Sequence, residues 1–293
     1  MRTRLECIPC VFRQALSAAQ RATPDPAVHE RVLRAMMEAY RSMPLSHTPA
    51  WYSQRVYEIV AQVTGAADPF AEEKHHFNRI ALAMAPACAA AIAAAADPLA
   101  TGAHLAVAGN IIDLGITERL DISGTLASAL HTPFAVSDLE HLRAGLASAR
   151  ALLYIGDNAG EIVFDRIFIE TLRALHPGLA VVFAVKSGPV INDATMDDAR
   201  AVGMLRVCEV IETGGAWVGA PLERVSAEFR ERFERADLVI AKGQGNFETL
   251  SDCRDKNIYF ILKAKCAVVA RALGVAFGDS VLRHVARLPR EEA

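Results

Sequence analysis

The first hundred residues place hydrophobic side chains at the spacing of amphipathic helices. Val28, Val32, Met36 and Tyr40 recur every three or four residues, and a second series of this kind runs over residues 52–63. Prolines separate the series, and no run with the length and pattern of a strand occurs here. The pattern predicts an all-helical N-terminal region over residues 1–100.

From about residue 103 short apolar runs alternate with amphipathic helical stretches. The runs predicted to be strands are Leu105–Ala108, Ala151–Ile155, Ala180–Val185, Val207–Ile211, Leu238–Ala241 and Tyr259–Leu262. The sequence Ser-Asp-Leu-Glu at 137–140 has the form of a capping box and predicts a helix over Asp138–Ala149. Alternating strands and helices predict an α/β domain over residues 101–293, with a mainly parallel sheet covered on both faces.

Composition narrows the classes of protein that fit this pattern. The 293 residues are 52% hydrophobic and 22% charged, which predicts a sizeable core, and the net charge of −3 argues against a general nucleic-acid binder. The weakly polar run Ala81–Ala96 contains Pro86 and is shorter than the roughly 20 residues of a membrane helix, so it is interpreted as a buried helix. No secretory signal pattern opens the sequence. We expect a soluble, cytoplasmic protein without a membrane or nucleic-acid partner.

Polar residues that bind metals follow several of the predicted strands. Asp157 and Asn158 follow Ala151–Ile155, and Asp193 lies in the segment after Ala180–Val185. Ligands of open α/β sheets bind outside the carboxyl ends of the strands, so these side chains are expected to share one crevice. Two carboxylates and an amide oxygen suit a hard divalent cation such as Mg²⁺ or Mn²⁺.

Residues suited to phosphate binding follow the same predicted strands. Gly160 precedes a helix, whose first N–H groups attract anions, and Lys242 supplies a point charge. Gly243 allows the backbone to approach a ligand closely. Taken singly, Asp157-Asn158 and Asn192-Asp193-Ala194-Thr195 are more typical of turns and helix caps than of a metal site. Their joint position at strand ends favours a site for phosphoryl transfer to water.

Six motifs in fixed order give the chain a resemblance to a known family. It resembles the damage-control phosphatase family, also described as acidic-residue-methyltransferase-like, and within it the stand-alone prokaryotic branch with an N-terminal cysteine pair. The motifs are Glu6-Cys7-Ile8-Pro9-Cys10 with Arg13-Gln14, Gly109-Asn110-Ile111-Ile112-Asp113, Gly156-Asp157-Asn158-Ala159-Gly160-Glu161 with Phe164-Asp165, Asn192-Asp193-Ala194-Thr195, residues 237–248, and Lys263-Ala264-Lys265-Cys266. Together they cover nearly the whole chain.

The resemblance implies a fold, a cofactor and an activity. It implies a helical region packed on a Rossmann-like three-layer α/β region, and a divalent metal (Mn²⁺, Ni²⁺, Co²⁺ or Mg²⁺) held by the residues at Asp157, Asn158 and Asp193. It implies hydrolysis of phosphate monoesters of small metabolites, such as sugar phosphates or damaged or intermediate cofactor phosphates. Lys242 matches a phosphate-contacting position, and Asn110 and Asp113 match positions near the substrate. Asp157, Asp193 and Lys242 are the expected catalytic residues, with either water or a carboxylate as nucleophile.

Two other functions remain open at this stage. One is an adenosylmethionine-dependent carboxyl methyltransferase, although Asp157 occupies a position where an adenosine site would favour glycine. The other is a non-catalytic metal or thiol protein built on Cys7 and Cys10, with spacing typical of metal or redox pairs, and on Cys266. The simpler interpretation is that the pair is buried on one face of a helix. The phosphatase accounts for more of the motifs.

Overall fold

A seven-stranded sheet forms the middle layer of the computed structural model, which describes residues 1–108 and 132–289. The strands are β1 (Val136–Ser137), β2 (Ala151–Ile155), β3 (Ala180–Val185), β4 (Glu209–Glu212), β5 (Leu238–Lys242), β6 (Ile258–Lys263) and β7 (Ser280–His284). Their order is β1-β7-β6-β5-β2-β3-β4. Every neighbouring pair is parallel except β6 and β7. The predicted mainly parallel sheet is confirmed.

Helices cover both faces of this sheet. Those before β1 are α1 (Cys7–Ala22), α2 (Pro26–Ser42), α3 (Pro49–Thr64), α4 (Ala71–Ala94) and α5 (Pro98–Ala108); those after it are α6 (Leu139–Ser148), α7 (Glu161–Leu175), α8 (Met196–Ala201), α9 (Ala227–Arg235), α10 (Gly243–Leu250) and α11 (Ala267–Leu273). Leu152 and Tyr154 of β2 join the core with α4, α5 and α7, whereas Leu153 and Ile155 join the core with α9, α10 and α11. Because successive side chains of a strand point to opposite faces, β2 is buried on both of its faces. The three-layer α/β architecture is confirmed.

The helices α1, α2 and α3 have a hydrophobic cluster of their own. Val32, Met36, Tyr52 and Val56 are buried in it. Each of α2 and α3 begins with a proline after a capping side chain, since Asp25 accepts from Ala27 N (2.9 Å) and Thr48 accepts from Trp51 N (3.3 Å).

One polar contact and one small apolar cluster join α3 to the sheet region. Gln54 Oε1 accepts from Val218 N at 3.0 Å, and Ala50 packs with Val190 and Val218. Val190 and Val218 lie in the loops that follow β3 and β4. The helical cluster therefore stands over the carboxyl ends of the strands.

Helix α4 contains the alanine-rich run, and its helical structure is as expected. Its buried face carries Ala81, Met84, Cys88 and Ile92, which join the core that contains α7. Among the described residues it is the one helix long and apolar enough to pass a length-and-composition test for a membrane span. Core helices pass the same test, so this is weak evidence for a span.

The structure corrects several local predictions. Leu105–Ala108 is the last turn of α5 and not a strand, because a helix that starts at Pro98 runs through it. The capping box is wrong: α6 is present, but Asp138 makes no cap hydrogen bond and instead accepts from His284 N (2.8 Å) and Arg287 (2.9 Å). The fourth strand begins two residues later than predicted, and β1 and β7 were not predicted.

Candidate active site

The sheet order places β2 at the point where the connections reverse direction. β3 lies on one side of β2 and β5 on the other, so the loops after these strands diverge and leave a crevice between them. Such switch points are where open α/β sheets bind ligands. Asp157 and Asn158 follow β2, Asp193 lies in the loop after β3, and Gly243 follows β5 directly.

Backbone hydrogen bonds hold the loops after β2 and β3 against each other. Ala194 N donates to Asp157 O at 2.7 Å, and Ala159 N donates to Asn192 O at 2.9 Å. Asn158 and Asp193 form an isolated antiparallel bridge between them. The three residues predicted to bind metal are thus brought together by backbone pairing, which does not depend on a ligand.

Asp193 is buried and Asp157 is half-buried, and their negative charges repel each other. Burial first, and then the charges of Asp193 and Glu161, raise the pKa of Asp157 well above its usual range, whereas Lys265 and Lys186 lower it. Burial likewise raises the pKa of Asp193 to about 6, against the attraction of Lys186. The Lys186 ammonium lies 3.5 Å from Asp193 Oδ2 and donates to Gly219 O at 2.6 Å. The site therefore carries more negative charge than its burial favours.

A divalent cation fits this donor set. The described residues contain no group of three His, Cys, Asp or Glu side chains with metal-binding geometry; the predicted set has two carboxylates and one amide. Asn158 Nδ2 donates to Asp157 Oδ2 at 3.0 Å and contacts Glu161 Oε2 at 3.4 Å. The amide oxygen of Asn158 is therefore the atom that would bind a metal ion. Hard oxygen atoms in a buried site with excess negative charge suit Mg²⁺ or Mn²⁺.

Glycine is required where β5 passes into α10. Gly243 has φ +74°, and a Cβ built on it would lie 1.9 Å from Asp157 Oδ2. No other residue leaves room for the carboxylate against this backbone, and few adopt the conformation. This geometry agrees with the prediction that the backbone at Gly243 comes close to the ligand site.

Lys242 does not face the cavity, which corrects the predicted phosphate contact and catalytic role. Its ammonium is completely buried and donates to Ala106 O (2.7 Å), Asp165 Oδ1 (2.8 Å) and Glu161 Oε1. These three acceptors use all three N–H groups. Burial disfavours the charge, but Asp165 and Glu161 outweigh it and raise the pKa of Lys242.

The backbone N–H of Gly160 also has a hydrogen-bond partner within the protein. Its N–H donates to Asn78 Oδ1 of α4 at 2.7 Å, and Phe77 covers the residue. The predicted phosphate contact of Gly160 is therefore wrong, because its donor is already used. The candidate substrate residues Asn110 and Asp113 lie outside the described residues.

Two side chains that the predicted set did not include belong to the site. Lys265 lines a cavity of about 160 Å³ together with Asp157, Asp193 and Gly243, and it lowers the pKa of Asp157. Its backbone N–H is held by Gln244 Oε1 at 2.6 Å. Glu161, at the start of α7, links Lys242 to Asn158. The motif Lys263-Ala264-Lys265-Cys266 was a signal for Lys265.

The cysteine pair forms no disulfide, and all six cysteines are free. Cys7 is the first residue of α1, and burial raises the pKa of its thiol, to which Glu248, Cys266 and Cys10 add repulsion. The three thiols of the motifs therefore lie near one another. In the described ranges 1–108 and 132–289, neither these three thiols nor any other His, Cys, Asp and Glu side chains form a group of three or more that could hold a metal ion.

Comparison with known proteins places this geometry in a family. The model of the damage-control phosphatase ARMT1-like domain matches residues 3–281. The chain belongs to this family. Membership supports a phosphatase role on damaged metabolites, and it confirms the resemblance drawn from the motifs.

Relatives of similar length support the assignment. A damage-control phosphatase of Pyrococcus horikoshii is 35% identical, with 96% of this chain and 97% of that protein covered, and one of Archaeoglobus fulgidus is 31% identical, with 95% and 98% covered. An uncharacterized protein of Methanocaldococcus jannaschii is 35% identical, with 94% and 93% covered. The crystal structure of a DUF89 family protein from P. horikoshii superposes with a TM-score of 0.89 at 34% identity and covers 97% of this chain and 99% of that one.

Proposed function

We propose that this chain is a divalent-metal-dependent phosphatase that hydrolyses phosphate monoesters of small metabolites. The observation that carries the proposal is the meeting of Asp157, Asn158 and Asp193 at the switch point of the sheet, with Lys265 and Gly243 on the walls of the same cavity. Sugar phosphates and damaged or intermediate cofactor phosphates are the substrate classes, and Mn²⁺, Ni²⁺, Co²⁺ or Mg²⁺ is the metal. The proposed location is cytoplasmic.

Each residue has a role in this proposal. Asp157, Asn158 and Asp193 hold the cation, which would supply stabilisation of the negative charge on the phosphoryl oxygens. Lys265 takes the phosphate contact that Lys242 cannot make. Asp157, besides its role in holding the cation, orients the attacking water. The P–O bond to the alcohol breaks as the water oxygen bonds to phosphorus, and the proton that the water loses ends on the oxygen of the departing alcohol.

The test is hydrolysis of p-nitrophenyl phosphate by metal-stripped protein with Mg²⁺, Mn²⁺, Co²⁺ and Ni²⁺ added back singly. We expect metal-dependent turnover that falls by about 100-fold or more in Asp157→Ala and Asp193→Asn, because a removed ligand weakens both the cation and its position. Asp197→Asn is the matched control, since Asp197 is an exposed residue of α8 that pairs with Arg200.

A second readout does not depend on activity. The metal alone should raise the unfolding temperature of the wild-type protein and of Asp197→Asn, but not that of Asp157→Ala, because a ligand stabilises the state that binds it. Full activity in Asp193→Asn would refute the ligand assignment. Folded protein without turnover or thermal shift with any metal would refute the phosphatase, and titration with adenosylmethionine would then test the methyltransferase.

A further inference from the structure

A second and larger cavity adjoins the one at the metal site. Its volume is about 660 Å³, and it lies between α1, α3, α4 and the loop after β3. Ile191 and Asn192 line both cavities. Cavities that hold small metabolites are commonly 300–1,000 Å³, whereas the 160 Å³ at the metal site suits little more than a phosphoryl group.

The residue between the two cavities has an unusual backbone conformation. Ile191 has φ +48°, and it is the one non-glycine residue with a positive φ in the described part of the chain. For a β-branched residue this conformation is strained, and strain of this kind persists where the surroundings hold it, typically at functional sites. The Ile191 side chain packs against the cluster of α1–α3 and against Ala50, Val190 and Val218. The packing of helices α1–α3 therefore holds Ile191 in place between the two cavities.

Two polar side chains on the wall of the larger cavity, Gln14 and Tyr57, bear on what it binds. The buried Gln14 Oε1 accepts no hydrogen bond from the described residues, while Gln14 Nε2 contacts Cys10 Sγ at 3.5 Å. A buried acceptor without a donor is costly, so a ligand O–H or N–H would be favoured there. Tyr57 lines the larger cavity and lies within electrostatic reach of both Cys10 and Asp193.

The two arginines on this wall, Arg13 and Arg21, differ in whether another side chain already pairs with them. Arg21 is already engaged, since it donates to Glu73 Oε2 at 3.0 Å and lies over the ring of Phe70. Arg13, also on α1, is exposed and forms no ion pair with any residue in the ranges 1–108 and 132–289. A guanidinium in this position is suited to a carboxylate or a phosphate.

We infer that the larger cavity is the specificity subsite for the alcohol part of the phosphate monoester, and that it selects alcohols with a second anionic group. Arg13 binds this anion, and Gln14 accepts from a hydroxyl or N–H of the same molecule. The substrate class is then a phosphorylated polyhydroxy compound with a further phosphate or carboxylate. This inference rests on the proposed function, and it adds the chemistry of the leaving group.

Matched pairs of substrates test the inference. Glucose 1,6-bisphosphate is compared with glucose 1-phosphate for a second phosphate, and 6-phosphogluconate with sorbitol 6-phosphate for a carboxylate. We expect kcat/KM of the wild-type protein to favour the doubly anionic member of at least one pair by about tenfold, the effect of one charge-assisted contact. The pair that shows the preference identifies the anion.

Variants of the two wall residues and one control complete the test. Arg13→Ala should bring the ratio within the favoured pair to about one, while Arg13→Lys should keep part of it. Gln14→Leu should raise KM for both members of the pair, because it removes the acceptor for the polyol. Arg34→Ala should leave the ratio unchanged, since Arg34 is exposed on α2 and paired with Glu30.

The outcomes separate this inference from the proposed function. Equal kcat/KM within both pairs, or a ratio unaltered by Arg13→Ala in folded protein, would overturn the subsite. If no ester is hydrolysed with any metal, the proposed function fails first, and calorimetric binding of 6-phosphogluconate and glucose 1,6-bisphosphate to wild-type and Arg13→Ala protein then decides. Binding weakened about tenfold in the variant supports the anion subsite, and equal or absent binding rejects it.

Discussion

At the scale of single residues, Lys242 shows how a charge is accommodated inside this protein. Asp165 Oδ1 accepts from Lys242 and also from the Tyr154 hydroxyl at 2.6 Å, so two buried side chains share one carboxylate oxygen. Glu161 accepts from Lys242 with one oxygen and contacts Asn158 with the other. Lys242 is therefore a positioning residue, which acts on the metal site through Glu161.

Replacing this lysine should cost stability. Lys242→Met leaves Glu161 and Asp165 buried without their cation, and breaking a buried ion pair in this way costs about 3–5 kcal/mol. Urea unfolding with chelator present measures the loss. Lys256→Met is the control, because Lys256 is partly exposed and donates to two backbone carbonyls, and it should cost about 1 kcal/mol. An equal loss in the two variants would contradict the network.

The orientation of Lys242 was within reach of the sequence. It shares its parity in β5 with Leu238 and Ile240, which face the core that contains α7. Glu161 and Asp165 are four residues apart, so they lie on one face of α7. A lysine at the end of a strand was interpreted as a ligand contact because the motif gives its position along the chain and not the direction of its side chain.

At the scale of elements, the junction of β5 and α10 determines where Asp157 lies. The backbone of Gly243 touches the carboxylate, and the next strand, β6, pairs with β5 and leads to Lys265. One glycine therefore controls the distance between an acidic loop and the start of a helix.

A substitution at this glycine should act on the site and not only on stability. Gly243→Ala would force the Asp157 carboxylate to move, so we expect metal-dependent turnover to fall by about 100-fold. Gly65→Ala is a matched control: its φ is +72°, but no atom lies within 4 Å of the added Cβ. It should cost about 1 kcal/mol of stability and leave turnover unchanged. Similar turnover in both variants would show that the close approach does not matter.

Elements with long patterns were predicted well from sequence, and short ones were not. The apolar runs Ala151–Ile155 and Ala180–Val185 became β2 and β3 because fully buried parallel strands are continuously hydrophobic. Leu105–Ala108 was wrong because four apolar residues do not distinguish a strand from the end of a buried helix. β7 contains Arg283 and His284, which hid it from a search for apolar runs.

At the scale of the whole molecule, several buried acids make the folded state less stable as the pH rises. Burial raises the pKa values of Asp165 and Asp193 to about 6 and that of Glu248 to about 8. The folded protein therefore binds more protons than the unfolded chain above pH 4.5, and each of these groups removes stability as the pH rises. His284, whose pKa burial lowers to about 4, has the opposite effect, but only below about pH 6.5.

Stability of the metal-free protein should consequently fall between pH 6.5 and 8. Glu248, with an unfolded pKa near 4.5 and a folded one near 8, accounts for about 1–2 kcal/mol of this fall. Glu248→Gln should make the decrease smaller by that amount in urea unfolding at the two pH values. The exposed Glu72→Gln should leave the decrease as in the wild-type protein. Identical pH dependence in all three would contradict the burial of Glu248.

The assembly of the site was only partly predictable at this scale. Sequence order placed Asp157 and Asp193 at the ends of successive strands, and a parallel sheet brings such ends together. The larger cavity was not predictable, because Gln14, Tyr57 and Ile191 meet only when α1 and α3 dock on the loop after β3. That docking depends on side-chain packing, which no local pattern encodes.

The pairing of β1 with β7 has a consequence for synthesis on the ribosome. Among the strands that the structure describes, β1 has no neighbour other than β7, and residues 284 and 287 also hold the start of α6. Translation therefore produces β1 and α6 well over a hundred residues before their partners. Until β7 emerges, β1 lacks the strand with which it pairs, and its unpaired backbone groups are a hazard for aggregation. A nascent chain of this protein would need chaperone protection longest at this end of the sheet.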